Sequence, residues 1–119
     1  MRTAALAFLL ALCAAPVLAA DPDAKYPSFK DPNLKAGRAI WLGTCKACHA
    51  TGIADAPRVD DREAWKPRLA KDRATLYQHA LNGFFGPMGT MMPPRGGNDK
   101  LSDAEVKSAV DYMVSIVKK

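Results

Sequence analysis

The sequence predicts an all-α domain of three to five helices, and three observations lead to this class. Apolar residues recur at helical spacing near the C-terminus, as they do on the buried face of an amphipathic helix. Aspartate or serine, which cap helix N-termini, stands immediately before each candidate helix. No segment alternates apolar and polar residues in the way that a half-exposed strand does. A domain built from helices is therefore expected.

The first 20 residues have the layout of a secretory signal peptide. A single arginine precedes an uncharged apolar run from residue 4 to about residue 15, and small residues lead up to the first acid. We expect cleavage after Ala19 or Ala20, and hence a periplasmic protein. We expect no permanent membrane span, because about 12 apolar residues are fewer than the roughly 20 that cross a bilayer. An uncleaved anchor is the alternative. Cys13 lies inside this segment.

The predicted mature chain begins with an extended lead-in, residues 21–33, which is rich in proline and aspartate and has no periodicity. One domain is expected over residues 34–119. Asp31 and Pro32 supply an N-cap and a proline at the first helical position. Cys45 lies at the end of the helix that follows.

Two short helices are expected in the middle of the chain. Asp60 or Asp61 caps the first, which Pro67 bends or stops, and Asp72 caps the second, which ends near Gly83. The stretch GFFGPMGTMMPPRGGNDK follows, with five glycines and three prolines in 18 residues. No regular element fits this composition, and its length within a small domain predicts a functional loop.

The last helix carries the clearest signals. Ser102 and Glu105 form the pattern of a capping box, and two lysines at the end suit the helix dipole. Its apolar residues at helical spacing are Val106, Ala109, Val110, Met113, Ile116 and Val117.

The stretch GTCKACHATG, residues 43–52, contains two cysteines three apart and a histidine directly after the second. Such a cluster is compatible with three kinds of site: a zinc site, a redox-active dithiol or a covalently attached haem. A structural zinc site usually has two ligand pairs that are well separated in sequence, and the three residues here, Cys45, Cys48 and His49, lie too close together for that arrangement. A dithiol oxidoreductase carries its pair in a βαβ context that this sequence lacks. The pattern C-x-x-C-H therefore predicts one haem c, bound through thioethers to both cysteines, with His49 as the fifth iron ligand.

The occupant of the sixth coordination position of the iron distinguishes the possible functions. A methionine there gives an electron carrier, whereas an open position allows gas binding or peroxide chemistry. Met92 precedes Pro93, and the backbone of a residue before proline is held extended, which restricts the direction of the Met92 side chain. In an extended chain the side chain of Met91 then points to the opposite side from that of Met92. We therefore favour Met92 over Met91. Met88 is a further loop candidate. We expect Met113 to pack in the core and His79 to lie on a helix surface.

The charge pattern limits the function classes. The chain has a formal net charge of +5, but its basic residues are scattered among twelve acids without a basic stripe or interleaved aromatics. This argues against a nucleic-acid partner, although a positive surface can steer encounters with acidic proteins. The acids are dispersed, and no nucleophile-base pair or phosphate loop indicates an enzyme with its own substrate.

Four ordered blocks resemble a known family. They are AGRAIWLGTCKACHATG, APRVDDREAWKPR, LNGFFGPMGTMMPPRGG and LSDAEVKSAVDYM, and they span residues 36 to about 113. Together they resemble the bacterial cytochrome c-five type within the class I c-type cytochromes. The resemblance implies the small class I cytochrome c fold, with N- and C-terminal helices that cross near the haem attachment site. The segment GPMGTMM is longer and richer in methionine than the usual approach to the MPP block.

The same resemblance implies roles for individual residues. The axial methionine of the family lies in the MPP block, which corresponds to Met92. The carbonyl of Pro57 would accept the Nδ1 hydrogen of His49 and fix the ring. Trp65 and Arg68 would lie near the haem propionates.

The sequence thus predicts a periplasmic monohaem c-type cytochrome that carries single electrons between redox proteins, for example a dehydrogenase and a terminal oxidase. It is not predicted to be an enzyme. One alternative is the haem c subunit of a periplasmic dehydrogenase complex, such as a sulfite- or sulfide-oxidising one. The other is a gas-binding or peroxidase-like protein with an open iron.

Overall fold

The computed structural model describes residues 19–119, so the predicted signal peptide, with Cys13, lies outside the described residues apart from its last two positions. The five α-helices are α1 Pro32–Ile40, α2 Lys46–His49, α3 Arg62–Leu69, α4 Arg73–Asn82 and α5 Asp103–Val117. A π-helical turn, Trp41–Cys45, joins α1 to α2, and 3₁₀ turns occupy Ile53–Asp55 and Pro94–Gly97. Two short strands, β1 Phe84–Phe85 and β2 Met91–Met92, complete the fold. The predicted all-α class is confirmed.

The core is organised by the crossing of α1 over α5. Gly37 makes this crossing possible, because a Cβ at that position would collide with the backbone carbonyl of Ser108. The large rings of Trp41 and Tyr112 fill the space beside the crossing and are fully buried. Their ring centroids lie 5.8 Å apart. The close approach therefore places the π-helical turn, and Cys45 at its end, directly against the main core.

The lead-in of residues 21–31 forms turns, and it packs on this core. Tyr26 is buried and meets Trp41 edge to face, with 4.3 Å between ring centroids. The Arg38 guanidinium donates to the carbonyls of Tyr26 and Asp23, and the Tyr112 hydroxyl donates to the Pro27 carbonyl at 2.9 Å. The boundary at residue 33 stays a prediction, but the lead-in contributes an aromatic side chain to the core.

The helices begin where their capping residues predict. Side-chain oxygens of Asp31, Asp61 and Asp72 accept backbone hydrogen bonds at the starts of α1, α3 and α4. Ser102 and Glu105 make both hydrogen bonds of the capping box of α5. Helix α3 continues through Pro67 and ends two residues later. No helix in residues 19–119 is long and apolar enough to cross a membrane.

The glycine-rich loop contains a hairpin that the sequence pattern did not predict. Phe84 pairs with Met92, and Phe85 pairs with Met91, in antiparallel register. The turn between them is closed by a hydrogen bond from the Gly89 N–H to the Gly86 carbonyl at 3.0 Å. Gly89 adopts a positive φ of 78°, as expected for a three-residue hairpin loop with glycine in its left-handed position. Strands of two residues are too short to show alternation in the sequence.

Candidate haem-binding site

The cysteine motif lies where the π-helical turn meets α2. Single π turns inside helices occur frequently at functional sites. Cys45 and Cys48 are three residues apart in continuous helical backbone, so both side chains project from nearly the same side. Both are partly accessible free thiols. This arrangement can present two sulfur atoms to one edge of a haem.

The electrostatics of Cys45 argue against a dithiol oxidoreductase. Burial raises the pKa of the Cys45 thiol to about 11, and the neighbouring Cys48 adds to the increase. Reactive dithiols need the opposite shift, because the thiolate is the nucleophile. Within residues 19–119, no group of three or more histidine, cysteine or acidic side chains is arranged to hold a metal ion, so the described region also lacks a zinc ligand set.

His49 is buried, and its ring is held by the backbone. Its Nδ1 lies 2.9 Å from the carbonyl oxygen of Pro57, which leaves Nε2 for a metal. Burial lowers the pKa of His49, the Pro57 carbonyl opposes this shift, and the charge of Arg68 adds to the lowering. The pKa of His49 is lowered on balance, which favours the neutral imidazole, the form that binds iron.

Trp65 and Arg68 lie on α3, near His49. The Trp65 ring is buried with its centroid 6.5 Å from that of His49, and its indole N–H donates to the Arg58 carbonyl at 2.9 Å. Arg68 donates to the Ala64 carbonyl, and burial lowers its guanidinium pKa. None of the ion pairs among residues 19–119 involves Arg68. A partly desolvated cation without an acid beside it suits a propionate carboxylate.

The four candidate methionines differ sharply in their surroundings. Met113 is buried in the main core on α5, and Met88 is exposed at the hairpin tip. Met91 is exposed on β2. Met92 is partly buried and packs against a second apolar cluster formed by Ala80, Leu81 and Val106. Met91 and Met92 therefore face opposite sides of the hairpin.

Two contacts connect the cysteine half of the site to the methionine half. The Asn98 side chain donates to the Thr44 hydroxyl at 3.1 Å, directly beside Cys45. The Thr90 hydroxyl, two residues before Met92, lies 3.5 Å from an Asp55 carboxylate oxygen. The segments that carry the cysteines and the hairpin methionines are thus neighbours in space, although about forty residues separate them.

Gly83 is a site residue whose role sequence reasoning missed. It has a φ of +83°, and a Cβ there would lie 2.8 Å from the carbonyl oxygen of Met92 and 3.1 Å from the ring of Pro94. A glycine after a helix normally signals only a C-terminus. Here the missing side chain also lets the start of β1 approach the Met92 backbone. His79 at the end of α4 stacks on Phe84, the strand partner of Met92, with 4.0 Å between ring centroids.

The donor chemistry of these residues fits haem c. Two free thiols lie on one side of a helix, and a buried imidazole keeps one nitrogen available. The hairpin carries a partly buried thioether, and α3 carries an arginine that takes part in none of the ion pairs among residues 19–119. Each matches one chemical requirement of the cofactor: thioether attachment, axial ligation on two faces, and neutralisation of a propionate.

Comparison with known proteins points the same way. Residues 32–113 match the family model of cytochrome c oxidase, cbb3-type, subunit III. Cytochrome c-555 of Chlorobaculum tepidum is 48% identical over 79 residues, covering 66% of this chain and 72% of that protein. Cytochrome c5 of Azotobacter vinelandii is 41% identical over 81 residues, covering 66% and 92%.

A solved structure is similar in three dimensions as well. It is a cytochrome c in a crystal structure of the electron transfer complex of nitrite reductase with cytochrome c, with a TM-score of 0.61 and 38% identity. The match covers 73% of this chain and 96% of the other. The predicted family, fold and cofactor are confirmed. The chain therefore belongs to the class I c-type cytochromes, and it is an electron carrier that binds one haem c covalently through Cys45 and Cys48.

Proposed function

We propose that this cytochrome carries single electrons between redox proteins in the periplasm, with His49 and Met92 as the two axial ligands of its haem iron. The observation that carries the ligand assignment is the contrast between adjacent methionines. Met92 is partly buried against the second apolar cluster, whereas Met91 points away from it into solvent. Of the two, only Met92 has its side chain on the interior side of the hairpin.

Contacts of the protein would hold both side chains in place as ligands. His49 keeps its orientation through the hydrogen bond between Nδ1 and the Pro57 carbonyl. Met92 is restrained by its strand pairing with Phe84 and by the following proline. Bound haem supplies a one-electron iron couple, and the methionine ligand raises its reduction potential. Because neither ligand has to move, little reorganisation accompanies electron transfer. A closed iron also leaves no position for a substrate, so the proposed role is that of a carrier and not of an enzyme.

Two further observations support the proposed location and partners. The N-terminal 20 residues have the pattern of a cleaved export signal. The similar cytochrome c of known structure was captured in an electron transfer complex with nitrite reductase, which supports redox proteins as partners of this chain. The subunit of a dehydrogenase complex stays the alternative, and purification of the native protein with a stoichiometric catalytic subunit would favour it.

Spectroscopy of the holoprotein tests the ligand assignment. A methionine–iron bond in ferric haem gives a weak far-red absorption band. We expect Met92→Ala to abolish this band and to lower the reduction potential by on the order of 0.1 V, within the roughly 0.8 V that haem ligation spans. The matched control, Met91→Ala, should keep both. The reverse result would assign the ligand to Met91. A wild-type protein without the band would instead support the open-site alternative.

A further inference from the structure

The 3₁₀ turn Pro94–Gly97, which follows Met92 by one residue, has an uncommon backbone conformation. Its last three residues, Arg95, Gly96 and Gly97, have φ angles of 55°, 65° and 82°. We call it the left-handed turn. Glycine adopts this region freely, but a residue with a Cβ is disfavoured there. Arg95 therefore needs contacts elsewhere that hold it in this conformation.

The guanidinium of Arg95 makes such contacts with the start of α5. Its Nη1 donates to the Leu101 carbonyl at 2.9 Å, and its Nη2 donates to a carboxylate oxygen of Asp103, the first residue of α5, at 2.6 Å. We call these two contacts the Arg95 clamp. Two acceptors at once fix a planar guanidinium better than a single surface ion pair does. The Leu101 side chain packs against the same apolar cluster as Met92, so the clamp joins the left-handed turn to the surroundings of Met92.

The other side of the left-handed turn contacts the π-helical turn that carries Cys45. A Cβ on Gly96 would lie 3.2 Å from the methyl group of Thr44, so the two backbones approach closely there. The Asn98 side chain, just after the left-handed turn, donates to the Thr44 hydroxyl at 3.1 Å. Thr44 directly precedes Cys45. The left-handed turn therefore determines how the chain that leaves Met92 meets the cysteine half of the site.

We propose that Arg95 is a positioning residue for Met92: its clamp holds the left-handed turn, which keeps the methionine loop closed against the π-helical turn. This inference rests on the proposed function, in which Met92 binds iron. Only two prolines separate Met92 from Arg95, and their fixed φ angles leave little freedom to absorb a shift. A displaced turn would therefore displace the Met92 side chain. Arg95 differs from Arg68, because Asp103 already balances its charge.

Imidazole titration of the ferric holoprotein tests the proposal. Imidazole takes the place of methionine only in molecules whose loop has released it, so its apparent dissociation constant, read from loss of the far-red band, reports loop closure. Arg95→Asn removes the guanidinium but suits the left-handed turn, because asparagine tolerates this conformation. We expect imidazole to bind this variant about tenfold more tightly than wild type, a change of about 1.4 kcal/mol.

Further variants provide the control and test the route of the effect. Lys100→Asn removes the same charge from the same segment, at an exposed side chain that takes part in none of the ion pairs among residues 19–119. It should leave the imidazole constant within about twofold of wild type. Thr44→Val keeps the methyl group beside Gly96 and removes the hydroxyl that accepts from Asn98, so it should also tighten imidazole binding. Because both changes release one loop, Arg95→Asn/Thr44→Val should tighten binding by less than the product of the single effects.

The outcomes separate positioning from ligation and from stability. An imidazole constant for Arg95→Asn equal to that of wild type would overturn the proposal, even if denaturant unfolding showed a loss of stability. Equal tightening in Lys100→Asn would overturn it as well, and so would fully independent effects of Arg95→Asn and Thr44→Val. Asp103→Asn removes one contact of the clamp and repeats the test, with a smaller expected change, if Arg95→Asn binds haem poorly. A wild-type ferric protein without the far-red band would instead contradict the proposed ligation.

Discussion

Substitution of Gly83 by alanine should displace Met92, because the two backbones are in close contact. Gly83 has φ +83° and ψ 166°, a region that is almost restricted to glycine and that costs other residues about 1–3 kcal/mol. The added Cβ would also lie 2.8 Å from the Met92 carbonyl oxygen and 3.1 Å from Pro94. Neither obstacle is the end of a flexible side chain, so the strand itself has to shift. Strain and displacement together should lower the free energy of unfolding by about 2–4 kcal/mol.

Denaturant unfolding and the far-red band of the ferric holoprotein check this prediction together. We expect Gly83→Ala to lose stability and to weaken or lose the band. The matched control is Gly43→Ala, at an exposed helical position two residues before Cys45, where a Cβ meets nothing within 4 Å. Alanine is a better helix former than glycine by about 1 kcal/mol, so this control should be neutral or stabilising, with the band intact. If Gly83→Ala matched the control in both measurements, Gly83 would have no role in positioning Met92.

Two further predictions concern the stability of the fold. Asp111 on α5 accepts hydrogen bonds from Asn33 at 2.9 Å and Tyr77 at 2.7 Å and pairs with Arg73. Asp111→Ala should therefore lower the free energy of unfolding by about 2 kcal/mol in denaturant unfolding. Asp111→Asn should recover part of this loss, and full stability of the alanine variant would contradict the argument. Hydrogen bonds from Ser102 lower the pKa of Glu105 in the folded state. The stability that they contribute is present above the ordinary glutamate pKa and disappears as the pH falls through the depressed folded value. Unfolding measured against pH should show a shallower acid-side slope for Glu105→Gln, and an unchanged slope would refute the linkage.

The parts of the fold that could be predicted from sequence depend on neighbours along the chain. An aspartate or serine before a helix accepts hydrogen bonds from backbone groups two or three residues later, so its effect is readable locally. This is why the helix starts after Asp31, Asp72 and Ser102 agree with prediction. Haem attachment is local for the same reason, because both cysteines and the histidine lie within five residues of one helical stretch.

The parts that could not be predicted depend on contacts through space. The close approach of Gly83 to Met92 joins two sides of a hairpin, and nothing in the glycine itself identifies its partner. The packing of Tyr26 on Trp41 is similar, because a turn-rich segment without periodicity gave no sign of contributing to the core. The hairpin did carry a signal in the sequence, a Gly-Pro-x-Gly turn between two apolar pairs. Strands of two residues made that signal easy to overlook.

The register of the hairpin decides which of the two adjacent methionines faces the interior. Side chains alternate between the faces of a strand, so a slip of one residue would turn Met92 outward and Met91 inward. The two methionines are chemically identical, and the sulfur ligand alone therefore cannot define the register. Two contacts around β1 define it instead: the glycine-only approach of Gly83 to the Met92 carbonyl, and the stacking of His79 on Phe84. If the register is set in this way, weakening either contact should reduce the share of molecules in which Met92 binds iron, and the far-red band should weaken with it. The reduction potential should then fall together with the band, although neither methionine has been altered.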